Sequence, residues 1–95
     1  MSDWLVKRRL SRTVTQLAAL RAELAEVVEQ AQVVSDDADD SRVRALVSDS
    51  LLAAQEANDL GKHAAAIERH RSHLMTKIRE LEATQDALLD RLSPS

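Results

Sequence analysis

From Val6 onward, apolar side chains recur in alternating steps of four and three residues: Val6, Leu10, Leu17, Leu20, Leu24, Val27, Ala31 and Val34, with Thr13 the one polar member. An α-helix turns once every 3.6 residues, so this spacing lines one face with two columns, the seam by which helices pair in a coiled coil. Leu10, Leu17, Leu24 and Ala31 form one column, and Val6, Thr13, Leu20, Val27 and Val34 the other. Ser2 or Asp3 supplies a side-chain oxygen for the free N–H groups of a first turn, so a helix over residues 3–35 is predicted. Four carboxylates crowd the next segment, Asp36-Asp37-Ala38-Asp39-Asp40-Ser41. Their mutual repulsion, and the competition of Asp and Ser side chains for backbone hydrogen bonds, predict the main turn at residues 36–41.

Beyond that turn the pattern predicts a short connecting helix over 42–48, with Val43, Leu46 and Val47 on one side and Arg42 and Arg44 on the other. At Ser48-Asp49-Ser50 two readings stand side by side: Ser50 caps a new helix, or the helix runs on. From Leu51 a second seam follows: Leu60, Ala64, Ile67, Arg71, Leu74, Ile78, Leu81, Gln85, Leu88 and Leu92. One of its columns, Leu60-Ile67-Leu74-Leu81-Leu88, is uniformly large and aliphatic. The other contains Arg71 and Gln85, polar insertions of the kind that fix register or partner choice. Gly61 costs this helix about 1 kcal/mol relative to Ala, which the flanking pattern absorbs. Pro94 follows the last seam residue and closes a helix over 51–92. A short turn cannot connect parallel helices, so the predicted fold is all-α: one domain over 1–95, an antiparallel helical hairpin of coiled-coil type with a short connecting helix.

Composition narrows the fold further. The 95 residues are 44% hydrophobic and 31% charged, with one Gly, one Pro, no Cys and a single aromatic, Trp4. Ala, Leu, Glu, Arg and Gln are strong helix formers, and without β-branched and aromatic runs or turn glycines a β fold is excluded. A chain free of Phe and Tyr suits the narrow seam between two helices better than a thick globular core. The missing cysteines rule out disulfides and thiolate zinc sites and fit a reducing, cytoplasmic compartment. The N-terminus shows no signal-peptide pattern, and no run of about 18 apolar residues exists. A net charge of −3 and a pI near 5.5 speak against general nucleic-acid binding, which depends on clustered Lys and Arg.

Residues 39–53, DDSRVRALVSDSLLA, and the ending ELEATQDALLDRL resemble segments of small uncharacterised helical-hairpin proteins of actinobacteria. In those relatives a Pro follows the capping residue at the second interruption, where Leu51 stands in this chain. The resemblance implies a helical hairpin and carries over no catalytic or binding residues.

Candidate chemistry is sparse. His70 and His73 share a helix face, yet a carboxylate-bridged metal site needs a Glu three residues before a His, and Leu60, Ile67 and His70 occupy those positions. Solvated flank positions explain the three histidines, His63 included. The acidic segment lacks the Gly and the distant Glu of a calcium loop. Gly61 stands alone, so no phosphate loop is available, and the serines sit at caps and termini. No catalytic, cofactor-binding or metal residues are therefore assigned, and no small-molecule substrate is expected.

The expected function is a non-enzymatic protein–protein interaction or structural module that self-associates. It rests on a length mismatch: at about 1.5 Å per residue the first helix spans roughly 50 Å and the run to Leu92 roughly 63 Å. Leu88, Leu89 and Leu92 are then left without cover from their own chain, and a homodimeric four-helix bundle or another helical protein would bury them together with Leu81 as the interaction site. The same pairing sets Arg8, Arg9 and Arg12 beside Arg71, Lys77 and Arg79 as a basic band for acidic groups of a partner. Trp4 and the Lys7-Arg8-Arg9 cluster also support an alternative, a membrane-surface or nucleic-acid-associated adaptor. Val6 and Leu10 belong to the seam, which favours packing over membrane.

Overall fold

The computed structural model describes residues 2–93, which form two helices, α1 (Asp3–Val47) and α2 (Leu51–Leu92), joined by Ser48-Asp49-Ser50. The architecture is the all-α helical hairpin that the two seams predict. The position of the turn is corrected, however: α1 runs through Asp36–Ser41, no separate helix over 42–48 forms, and the chain reverses at the second interruption. Pro94, assigned to close the second helix, lies outside the described residues.

The reason the acidic segment stays helical lies in the cadence of its non-acidic members. Continuing the four-and-three steps past Val34 reaches Ala38, Ser41 and Ala45, and these three are half-buried or buried. The carboxylates at 36, 37, 39 and 40 fall between them and all face solvent. Two are held by helix-spaced partners: Gln32 Nε2 donates to Asp36 Oδ1 at 3.0 Å, and Arg42 pairs with Asp39 at 3.2 Å. Four aspartates cost roughly 2–3 kcal/mol of helix propensity at most, and tertiary packing of an uninterrupted seam outweighs such a term.

The reversal itself is built from serine. Ser48 N donates to the Arg44 carbonyl at 3.1 Å and completes α1. Ser50 N donates to Ser48 Oγ at 3.2 Å, which tightens the turn, and Ala53 N donates to Ser50 Oγ at 3.3 Å. Ser50 is thus the N-cap of α2, one of the two readings open at that position.

The chain falls into two compact units. The turn-bearing unit, Ala25–Ser72, carries a seam of mostly small residues: Ala31, Ala38, Ser41 and Ala45 from α1 and Ala53, Ala57 and Ala64 from α2, with Val27, Val34, Leu60 and Ile67 among them. Helix separation follows the size of the side chains at the contact, so this seam permits close approach of the two backbones. The terminus-bearing unit, up to Leu24 and from His73 on, holds the large seam residues. Val6, Leu17, Leu74, Ile78 and Leu88 are buried there, and Leu10, Leu20, Leu24, Leu81 and Leu92 half-buried. Thr13 is buried among them and donates its hydroxyl to the Arg9 carbonyl at 2.9 Å, so its presence in an apolar column leaves no unsatisfied group. Arg21 of α1 and Glu82 of α2 pair across the unit at 3.1 Å, and Leu20 lines the same groove as Leu81. Those two juxtapositions mark its register.

Candidate interaction surfaces

At the apex of the turn-bearing unit the seam positions are taken by Ser41, Ala45 and Ala53, so the large aliphatics of the same stretch are left facing outward. Val43, Leu46 and Val47 precede the Ser48–Ser50 turn, and Leu51 and Leu52 follow it. Leu46 is 80% exposed, Val47 83%, Leu51 74% and Leu52 64%. Five large apolar side chains thus stand in solvent within ten residues of sequence. Carboxylates rim them at Asp39, Asp40, Asp49 and Glu56, and a shallow groove bounded by Ser41, Arg44, Val47, Leu52 and Glu56 runs into the cluster.

The terminus-bearing unit shows a second, smaller apolar set: Trp4, Leu5 and Leu89. Trp4 is 63% exposed, and the Arg8 guanidinium lies over its ring, 5.5 Å from the centroid. A cation at that distance is attracted by the negative face of the indole, an interaction worth about 0.5–1 kcal/mol at an exposed site. Lys7, Arg9 and Arg12 are likewise exposed, so the basic segment projects into solvent.

Moving the turn overturns part of the sequence expectation. α1 has 45 residues and α2 has 42, so the length mismatch disappears and α1 covers the end of α2. Leu88 is 3% exposed and belongs to the core, while Leu81 and Leu92 are half-buried seam residues. Of the three leucines expected to lack cover, Leu88, Leu89 and Leu92, Leu89 alone is exposed. The basic band changes too. Lys77 lines the groove with Gln16 and Leu20, which places Arg8, Arg9 and Arg12 alongside the last turns of α2, with Asp86, Asp90 and Arg91.

The chain matches no protein-family model, no curated protein and no solved structure. The surfaces must therefore be interpreted on their own chemistry. His63, His70 and His73 are exposed, and among the described residues no group of three or more His, Asp or Glu side chains is placed to hold a metal ion. No described helix is long and apolar enough to cross a membrane. The groove near Leu20 and Leu81 lies open on the flank and is walled by Gln16, Lys77, Glu80 and Thr84, a set without a buried polar group.

Sequence reasoning located Trp4, Arg8, Arg9, Arg12 and Leu89 on the surface but assigned the apex aliphatics to one side of a connecting helix. The signal was present. Counting on from Val34 in steps of four and three assigns Ala38, Ser41 and Ala45 to the seam, which leaves Val43, Leu46 and Val47 without a buried position.

Proposed function

We propose that the chain is a non-enzymatic protein–protein interaction module, a helical hairpin whose seams supply stability and whose apex engages another protein chain. The observation that carries this reading is the cluster Val43, Leu46, Val47, Leu51 and Leu52, exposed at the turn and rimmed by carboxylates. A Ser-Asp-Ser turn with serine caps needs no large aliphatics around it, and contiguous exposed apolar groups mark association surfaces. The flank groove is open and holds no buried polar group, which lends no support to catalysis. The cysteine-free composition supports a reducing, cytoplasmic setting.

A photo-crosslinking residue in place of Val47, compared in host cells with one in place of Gln30 on the exposed flank of α1, tests the reading. Discrete protein adducts from position 47 and none from position 30 are expected. No adduct at 47, or adducts to lipid alone, would refute it.

Exposed Trp4 with Arg8 stacked on it favours a second reading, an adaptor that lays its N-terminal turns on an anionic membrane. Flotation with anionic liposomes, lost in Trp4→Ala and in Arg8→Glu, is the outcome that would establish it.

A further inference from the structure

We propose that the partner of the apex is a second copy of this chain, docked through its terminus-bearing end, so that hairpins associate head to tail. This inference rests on the interaction-module reading and names the occupant of the same surface.

Charge selects that occupant. Residues 36–59, which carry the apex aliphatics, hold seven carboxylates (Asp36, Asp37, Asp39, Asp40, Asp49, Glu56 and Asp59) against Arg42 and Arg44. Residues 2–12 hold Lys7, Arg8, Arg9 and Arg12 against Asp3 alone, and with the last turns of α2 included the balance is still five basic groups to three carboxylates. Both ends expose large apolar side chains, and their surroundings are opposite in sign. Apex on apex would set seven carboxylates against seven, and two terminal ends would oppose their arginines. The crossed arrangement alone brings apolar surface together with attraction, which is the combination that fixes partner and orientation.

The details of the terminal end fit an anchor in a shallow site. Trp4 is the chain's one aromatic, it is exposed, and the Arg8 guanidinium lies over its ring, so an aromatic and a cation are presented side by side. Large aromatic anchors and arginines carry a disproportionate share of interface energy. The apex offers the matching parts: Leu46, Val47, Leu51 and Leu52 for the indole and Leu5, and Asp49, Asp39 and Glu56 for the basic cluster. The flanks give no comparable basis for side-by-side pairing, since the large exposed side chains there, Val14, Val28 and Val33, are scattered singly. Each contact joins an apex to a terminal end and is small, so each link is weak, and a single link leaves one apex and one terminal end unoccupied.

Sedimentation of the full chain at millimolar concentration and low salt tests the proposal with two variants, Leu46→Asp/Leu51→Asp at the apex and Arg8→Glu/Arg9→Glu at the terminal end. All four positions are exposed, and circular dichroism checks that helicity is retained; should the aspartates unfold the apex, Leu46→Ser/Val47→Ser replaces them. Wild type is expected to grow in mass with concentration and to shrink as salt screens the charges. Each variant alone should stay monomeric. Their equimolar mixture should recover association and stop at two chains, since one retains its apex and the other its terminal end. A monomeric wild type, a dimer lost only in the apex variant, a dimer retained in both variants, or a mixture that stays monomeric would each overturn the proposal. If wild type is monomeric while position 47 captures a different protein in cells, the interaction-module reading stands and head-to-tail association falls.

Discussion

Single side chains divide sharply into those that hold the hairpin and those it merely displays. Leu17 is 1% exposed and sits in the aliphatic seam of the terminus-bearing unit. Its truncation loses the transfer energy of the removed carbons and leaves a cavity, so Leu17→Ala is expected to cost roughly 2–4 kcal/mol. Leu46→Ala, at a highly exposed position, should change stability by less than about 0.5 kcal/mol. Urea titration of the two variants checks the contrast, and equal losses would contradict the burial assigned to either residue. Gly61 gives a prediction of opposite sign. Beyond its own chain neighbours and the backbone of its own helix, nothing lies within 4 Å of where its Cβ would stand, and it occupies an exposed helical position. Gly61→Ala should therefore stabilise by about 0.5–1 kcal/mol, because the backbone entropy that glycine loses in a helix is no longer at stake. A rise in the urea midpoint is the expected result, and a fall would mean that the site is less open than it is drawn.

At the level of the helix, the seams are legible in the sequence and the break at Ser48–Ser50 is one of its two readings, but the main reversal is not: the pattern puts it at 36–41. Every residue from Val6 to Val34 and from Leu60 to Leu92 assigned to a seam is buried or half-buried, because the large aliphatics spell out their own spacing. Ala38, Ser41 and Ala45 continue the same count, but small side chains carry little hydrophobic signal, and four neighbouring aspartates carry a strong local signal for a turn. Seam continuity won over local preference. The real turn, Ser48-Asp49-Ser50, looked the weaker of the two because it has three polar residues to the other's five. A turn at 36–41 would leave Leu88 and Leu92 uncovered, whereas the turn at Ser48–Ser50 lets α1 bury Leu88 and half-bury Leu92. Hydrogen exchange checks the helix directly: amides of Asp39, Asp40 and Ser41 should exchange as slowly as those of Val34 and Ala45, and Asp49 should exchange fast. Fast exchange across 36–41 would restore the turn to that segment.

For the molecule as a whole, the fold follows from two arms of nearly equal length and one three-residue reversal. Register in the terminus-bearing unit rests on the seam more than on Arg21–Glu82, an exposed ion pair worth about 0.2–1 kcal/mol. Leu20→Cys combined with Leu81→Cys should therefore be joined by a short bifunctional thiol crosslinker, and should still be after Arg21→Ala. Failure of the pair to link would contradict the register. The alanine-rich seam beside the turn also governs the order of events when the chain folds. Ser41 and Ala57 lie sixteen residues apart in sequence, whereas Val6 and Leu92 lie eighty-six apart, so the first pairings near the turn cost the least loop-closure entropy. Those early pairings join small side chains that hold weakly, and the strong leucine contacts close last. Folding is then a zipper that starts easily and commits late. Substitutions such as Ala57→Gly should slow folding, while Leu88→Ala should chiefly speed unfolding, and stopped-flow chevrons of the two variants would show whether the limbs respond in that order.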